Sequence, residues 1–244
     1  MRKTAHIMGM PVSIDIPGAS TPTLFEAAFA VLRDIDEQFS PYKAESELTR
    51  YQLGHLSGSM LGDRMLGVMR ACQEFQQQTE GFFSPYYAGR FDPTGYVKGW
   101  AIDEAAKLLE RRGARTFLIN IAGDIGARSS GKRVWRIALQ HPTLSRAAMG
   151  TIAGANIAVA TSGTYARGEH IINPHTGRPA LEVLSVTVIG PDIVTADVFA
   201  TATSAMGLTA GRNFLERQLG YEGLFVAPDL RAITTSGFNT QTVR

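Results

Sequence analysis

A chain of 244 residues is long enough for one large domain or two lobes around a sizeable core. With 44% hydrophobic and 19% charged residues its balance is globular, and a net charge of +2 gives no broad draw toward nucleic acid or a membrane surface. No apolar run approaches the roughly 18 residues of a membrane span, and no apolar leader follows Met1–His6, so the expectation is a cytoplasmic protein with one domain over 1–244.

In chain order, Val12, Ile14 and Ile16 alternate with polar positions, which predicts a half-buried strand ended by Pro17-Gly18. Thr21-Pro22 opens a helix carrying Leu24, Ala27, Ala28, Val31, Leu32 and Ile35 at helical spacing. Phe39 to Arg50 and Gly54 to Gly58 read as polar loops, and Met60 to Gln78 as a helix closed near Gly81. Cys72, the only cysteine, shares the apolar side of that helix with Met65 and Met69, which predicts inert packing. Phe82 to Val97 reads as a long irregular segment, and such a stretch inside a compact domain is often functional. Lys98 to Arg112 is a helix stopped by Gly113. Strands at 117–121 and 134–139 bracket a Gly-rich turn, and further strands are predicted at 152–160 and 184–189. A helix at 195–206, a second short helix, and strands at 224–227 and 232–234 complete the order. Helices early and strands late predict α+β with antiparallel sheets, not regular βαβ winding.

Several groups of residues carry chemistry. Asp197 and Thr201 stand i, i+4 in a helix, so a carboxylate and a hydroxyl share one face. That pair can hold a hard cation such as Mg²⁺ beside a substrate phosphate. It can also be a first-turn acid favoured by the helix dipole and a threonine packing its methyl inward. Asp92-Pro93-Thr94-Gly95 followed by Lys98-Gly99 can offer backbone, an ammonium and a helix N-terminus to an anion, or be an Asp-Pro turn capping a helix. At the end of a strand, Gly123 lets backbone approach a ligand and Asp124 can accept from a ribose hydroxyl; a plain hairpin turn is the alternative. Thr161-Ser162-Gly163 suits phosphate or flavin binding, and no G-x-S-x-G elbow marks Ser162 as a nucleophile. His170 in a turn-rich loop suits a general base, while its spacing to His175 is a poor zinc pattern.

Taken in order, these segments resemble the ApbE family, the FAD:protein FMN transferases, from about Met8 to Phe238. Met8-Gly9 is similar to the family's opening Met-Gly, and Ser40-Pro41-Tyr42 through Ser46-Glu47-Leu48-Thr49-Arg50 to its "S-x-Y…S-E-L-S-R" segment. Asp92 to Asp103 resembles "D-L-G-G-I-A-K-G-Y-A-V-D", and Asn120 to Asp124 resembles "N-L-G-G-D". Ala160-Thr161-Ser162-Gly163 with Tyr165, then His170-Ile171-Ile172-Asn173-Pro174 to Pro179, is similar to "A-T-S-G-x-Y…H-I-I-D-P-x-T-G-x-P". Ser185 to Val188 and Ala196-Asp197 to Thr201 resemble "S-V-T-V…A-D-A-x-A-T".

The resemblance implies a two-lobed α+β fold with antiparallel sheets flanked by helices and an FAD cleft between the lobes. It implies Mg²⁺ held by Asp197, Thr201 and the main-chain carbonyl of Gly95, with His170 deprotonating a Ser or Thr of a target flavoprotein. FMN would be transferred to that hydroxyl and AMP released. Met8 and Tyr42 would lie along the flavin end, Asp92, Lys98 and Ile171 would contact FAD, and Phe82-Phe83-Ser84 falls where relatives carry Gly-Ala-Phe-Asp-Pro. Ser84 replaces the Asp of that run, Gln52 an Asn, Ala122 a Gly, and Asn173 an Asp; the segment between Pro85 and Asp92 is short. The short segment implies a more open cleft wall, or one completed by a second copy in a homodimer. A Mg²⁺-dependent FAD pyrophosphatase and a non-catalytic FAD-binding protein are the alternatives, and Tyr42, where relatives inclined to hydrolysis carry a smaller polar residue, favours transfer.

Overall fold

The structure is a computed structural model that describes residues 1–18, 22–87, 89–144, 147–163 and 171–238. Strands β1 (Arg2–Ile7) and β2 (Met10–Asp15) form a hairpin whose turn, Met8-Gly9, has φ of 56° and 68°. Positive φ at both turn residues matches the right-handed twist of the flanking strands. Helix α1 (Thr23–Phe39) buries Phe25, Ala28, Phe29, Leu32, Ile35 and Phe39, as its apolar spacing predicts.

The stretch after α1 departs from the expected loop. Helix α2 (Glu47–Gln52) forms there because Ser46 accepts a hydrogen bond from the Thr49 amide, while its own hydroxyl donates to Ser40 O at 2.6 Å. A helix of a single capped turn shows little periodicity, so only the cap marks it. Helix α3 (Asp63–Gln78) follows, with Met65, Val68 and Cys72 buried. The segment expected to be irregular holds a small hairpin, β3 (Tyr86–Tyr87) with β4 (Arg90–Phe91), and then α4 (Thr94–Arg111). Helix α4 thus begins a full turn before Lys98.

The rest is dominated by strands β5 (Thr116–Ile121), β6 (Asp124–Ser129), β7 (Trp135–Gln140), β8 (Ala148–Gly154), β9 (Ile157–Gly163), β10 (Ile172–Asn173), β11 (Arg178–Pro179) and β12 (Ser185–Gly190). Helices α5 (Ile193–Met206) and α6 (Leu208–Leu215) precede β13 (Glu222–Val226) and β14 (Ala232–Thr234). Eight strands make one antiparallel sheet in the order β1-β2-β5-β6-β9-β12-β13-β14. The expected α+β class with antiparallel sheets is therefore observed. The one strand expected over 152–160 is two, β8 and β9, turned at Ala155-Asn156, where the Asn156 side chain accepts from the Ser129 amide.

Helices cover one face of the sheet, and the β7–β8 hairpin covers part of the other through Trp135, Ile137, Leu139 and Ile152. Strand β6 lies between these layers and is buried along nearly its whole length. It stands where the sequence predicts a turn, because Gly126 and Ala127 break the alternation. A Cβ on Gly126 would lie 2.8 Å from the Ile102 side chain, so a bare backbone is what lets α4 sit on the sheet. Among the described residues no helix is long and apolar enough to cross a membrane.

Candidate active site at the α4–α5 seam

Strand register brings the candidate segments to one end of the sheet. The Met8-Gly9 turn and the Ala122-Gly123 turn between β5 and β6 lie side by side, with Ala122 N donating to Pro11 O at 3.0 Å. Next to them Asp124 opens β6, and Thr161 near the end of β9 donates its amide to Asp124 Oδ1 at 2.9 Å. Gly163 pairs with Ser185 at the start of β12.

Helices α4 and α5 cross over this end. A Cβ on Gly95 would meet Phe83 at 3.2 Å and Thr201 at 3.7 Å, and one on Gly99 would lie 2.9 Å from Ile193 O and 3.0 Å from Asp197 Cβ. Two glycines i, i+4 on α4 thus face Thr201 and Asp197 i, i+4 on α5, and the missing side chains allow the close crossing. The sequence reading named Gly99 beside Lys98 but missed its helix-contact role; the Gly-x-x-x-Gly spacing opposite an alanine-rich helix was the available signal.

At the seam Asp197 is 2% exposed and Asp124 1% exposed. The Lys98 ammonium makes an ion pair with Asp124 Oδ2 and lies 3.6 Å from Asp197 Oδ1. Asp124 Oδ2 has no hydrogen-bond donor among the described residues besides that ionic partner. The Gly99 amide donates to Asp197 Oδ2 at 2.8 Å. In a regular helix that amide is the partner of Gly95 O, so Gly95 O competes with a carboxylate for its donor. Burial pushes the Asp197 carboxyl up to about 7; the Lys98 ammonium opposes this and the Asp124 carboxylate adds to it. The Ser162 and Thr201 hydroxyls lie 3.2 Å apart, and Thr161 and Thr187 share a hydroxyl contact of 2.9 Å.

Several expectations are corrected. Asp197 is a buried residue in the second turn of α5, not a first-turn acid; the first turn is capped by Asp192, which accepts from Thr195 N at 2.8 Å. Lys98 is not at the start of α4, where Asp92 Oδ1 instead accepts from the Thr94 amide at 3.0 Å. Asp124 opens β6 directly after the β5–β6 turn, with Thr161 N on one of its oxygens and Lys98 on the other. The Phe83 ring is 2% exposed and packs against Gly95 of α4.

Other expected positions lie on elements outside the α4–α5 contact. Phe82 packs edge-on against His175, with centroids 4.4 Å apart, and His175 Nε2 contacts Glu80 O at 3.0 Å, so the β10–β11 hairpin is docked on the turn after α3. Ile171 is buried beside that hairpin, and its carbonyl accepts from Ala180 N. Asn173, which replaces the expected Asp, donates to Ala205 O near the end of α5 at 3.1 Å. Ser84 hydrogen-bonds locally with Tyr86. Tyr42 is 91% exposed on the loop after α1, and Gln52 links the following helix to Phe91 O at 2.7 Å. His170 and Tyr165 lie outside the described residues.

The ApbE family model matches residues 8–90 and 87–225. A FAD:protein FMN transferase from Vibrio cholerae is 35% identical over 132 residues, covering 49% of this chain and 40% of that protein. The Escherichia coli K12 protein of the same name is 32% identical over 133 residues, covering 50% of this chain and 38% of its own length. The matched span is thus well under two thirds of those relatives. Among solved structures, the ApbE protein of Thermotoga maritima superimposes with a TM-score of 0.84 at 21% identity over 97% of both chains. The flavin transferase ApbE of Vibrio cholerae gives 0.80 at 24% identity, over 98% of this chain and 97% of that one. At such identities the likeness speaks for the fold. With the family model spanning most of the chain and the motif residues gathered at one seam, the chain belongs to the ApbE family.

Proposed function

We propose that this chain is a Mg²⁺-dependent FAD:protein FMN transferase, moving the FMN half of FAD to a Ser or Thr hydroxyl of a target flavoprotein. The observation that carries the reading is the group of Lys98 with the buried Asp124 and Asp197 at the α4–α5 crossing, bordered by the Ser162 and Thr201 hydroxyls. Curated relatives bearing the transferase name support it.

The donors fit a hard divalent cation. With both acids ionised, two carboxylates and one ammonium leave the site one negative charge in excess, which a divalent cation would offset; burial is what raises the Asp197 carboxyl, with the Lys98 ammonium opposing it and the Asp124 carboxylate adding to it. Asp197, Thr201 and Gly95 O would hold Mg²⁺, an all-oxygen set suited to that ion. Bound there, the ion supplies charge stabilisation to the pyrophosphate as its anhydride bond breaks.

The chain's own residues do the rest. Lys98 offers an ammonium to the phosphates, and the Ser162 hydroxyl a hydrogen bond. The Met8-Gly9 turn and the wall from Tyr42 to Ser84 border the place for the isoalloxazine. His170, assigned by resemblance, takes the proton of the acceptor hydroxyl. That oxygen forms a bond to the FMN phosphorus, the phosphorus–oxygen bond to AMP breaks, and AMP leaves with the electron pair.

A second reading, hydrolysis of FAD to FMN and AMP, is favoured by the exposure of Tyr42, which leaves that wall open to water. One experiment separates the two. The protein is incubated with FAD, Mg²⁺ and a candidate acceptor flavoprotein, and AMP and flavin fluorescence on the denatured acceptor band are measured. Fluorescent acceptor with equimolar AMP is expected; AMP with free FMN alone replaces transfer by hydrolysis, and neither product leaves only binding.

A further inference from the structure

Lys98 stands between two buried carboxylates but does not divide itself evenly: its ion pair with Asp124 is the closer one, and its ion pair with Asp197 the longer, at 3.6 Å. Asp124 in turn cannot follow the ammonium, because Thr161 N holds its other oxygen at 2.9 Å and the residue sits at the start of a strand buried between two layers. We propose that Asp124 is a positioning residue that anchors Lys98 away from Asp197, keeping the Asp197 carboxylate open for a divalent cation. The inference rests on the cation site described under Proposed function.

The reason is competition for one carboxylate. An ammonium and a divalent cation cannot both sit against Asp197 Oδ1 in a site with little water, since their repulsion is screened weakly there. The second oxygen of Asp197 is already taken by the Gly99 amide. If Asp124 loses its charge, the ammonium closes on its second carboxylate partner, Asp197. Asp124 thus acts on the cation through Lys98, without touching it. The same anchor presents Lys98 at a fixed place at the sheet end, beside Thr161 and Ser162, where a phosphate would be met.

A double-mutant cycle read by Mn²⁺ binding, using electron paramagnetic resonance of free Mn²⁺ without FAD, tests this independently of turnover. The variants are Asp124→Asn, Lys98→Met and the two combined. Loss of Asp124 also removes one negative charge, so a purely electrostatic role predicts the same penalty whether or not the ammonium is present. The anchor predicts that Asp124→Asn weakens Mn²⁺ binding about tenfold with Lys98 in place and about twofold in the Lys98→Met background, a coupling typical of residues in contact. Equal penalties in the two backgrounds overturn the proposal. A crystal structure of the wild type with Mn²⁺ gives a check that does not depend on any variant folding. Lys98 paired with Asp124 and Asp197 on the metal is expected, and Lys98 displaced from Asp124 is fatal to the anchor. A wild type that binds no Mn²⁺ removes the cation site itself and the inference with it, whereas additivity with normal wild-type binding removes the anchor alone.

Discussion

The floor of the site and its wall are built on opposite terms. At the floor, Gly95, Gly99, Lys98, Asp124 and Asp197 are locked by a close helix crossing, a backbone-to-carboxylate bond and ion pairs whose two carboxylates have almost no exposure. At the wall, Tyr42 is 91% exposed and Ser84 bonds only to its neighbour Tyr86 among the described residues. The floor holds charge where water is scarce, so small displacements there change the chemistry. The wall can vary at little cost in stability, and it holds two of the departures from the family pattern noted in the sequence: a short segment before Asp92, and Ser84 in place of an Asp.

The comparison breaks most sharply at Asp197. Asp197→Ala is expected to lower AMP release from FAD by about a thousandfold with the fold intact by circular dichroism. Activity near wild type, with unchanged Mg²⁺ dependence, would remove Asp197 from the cation site. The next effect is on the crossing. Gly99→Ala places a methyl against Ile193 O and Asp197, and should cost about 1–3 kcal/mol in denaturant unfolding. A neutral result would mean that the helices can separate without loss.

The floor should also carry a pH signature in the metal-free protein. The Asp197 carboxyl is raised from 3.8 to about 7 on folding, so across that window the folded state binds more protons than the unfolded one. Its contribution to stability is therefore intact below 3.8 and is lost as pH rises through about 7. Melting temperature should fall over that interval, less so with Mg²⁺ added, and Asp197→Asn should remove this part of the slope. An unchanged slope in the variant would locate the effect elsewhere.

Two smaller tests sharpen the contrast with the periphery. Burial pushes the Cys72 thiol up to about 12, so a thiol reagent at a pH of about 8 should label the native protein far more slowly than the unfolded one. Rapid native labelling would show that the helix under the wall opens. Tyr42→Ala should change stability by less than about 0.5 kcal/mol in thermal melts, because its side chain is solvated. Any effect of that change should fall on the ratio of free FMN to labelled acceptor; a large stability loss would show that the wall is packed.

Where chemistry followed local pattern, it was legible in the sequence. The i, i+4 spacing places Asp197 and Thr201 on one face of α5, and strand alternation with early helices indicates an antiparallel α+β fold. Short or two-faced elements left weaker signals. Helix α2 has one turn, and β6 is covered on both sides, so neither shows a clear period.

By itself the sequence determined the family, the order of most helices and strands, and which polar residues were candidates, because periodicity and motif spacing are properties of neighbours along the chain. Only the tertiary structure decided that Asp124 pairs with Lys98, that Phe83 backs Gly95, and that Gly99 is the contact point of two helices. Those facts depend on the desolvation, charge pairing and close approach of segments far apart in the chain, which no local pattern encodes.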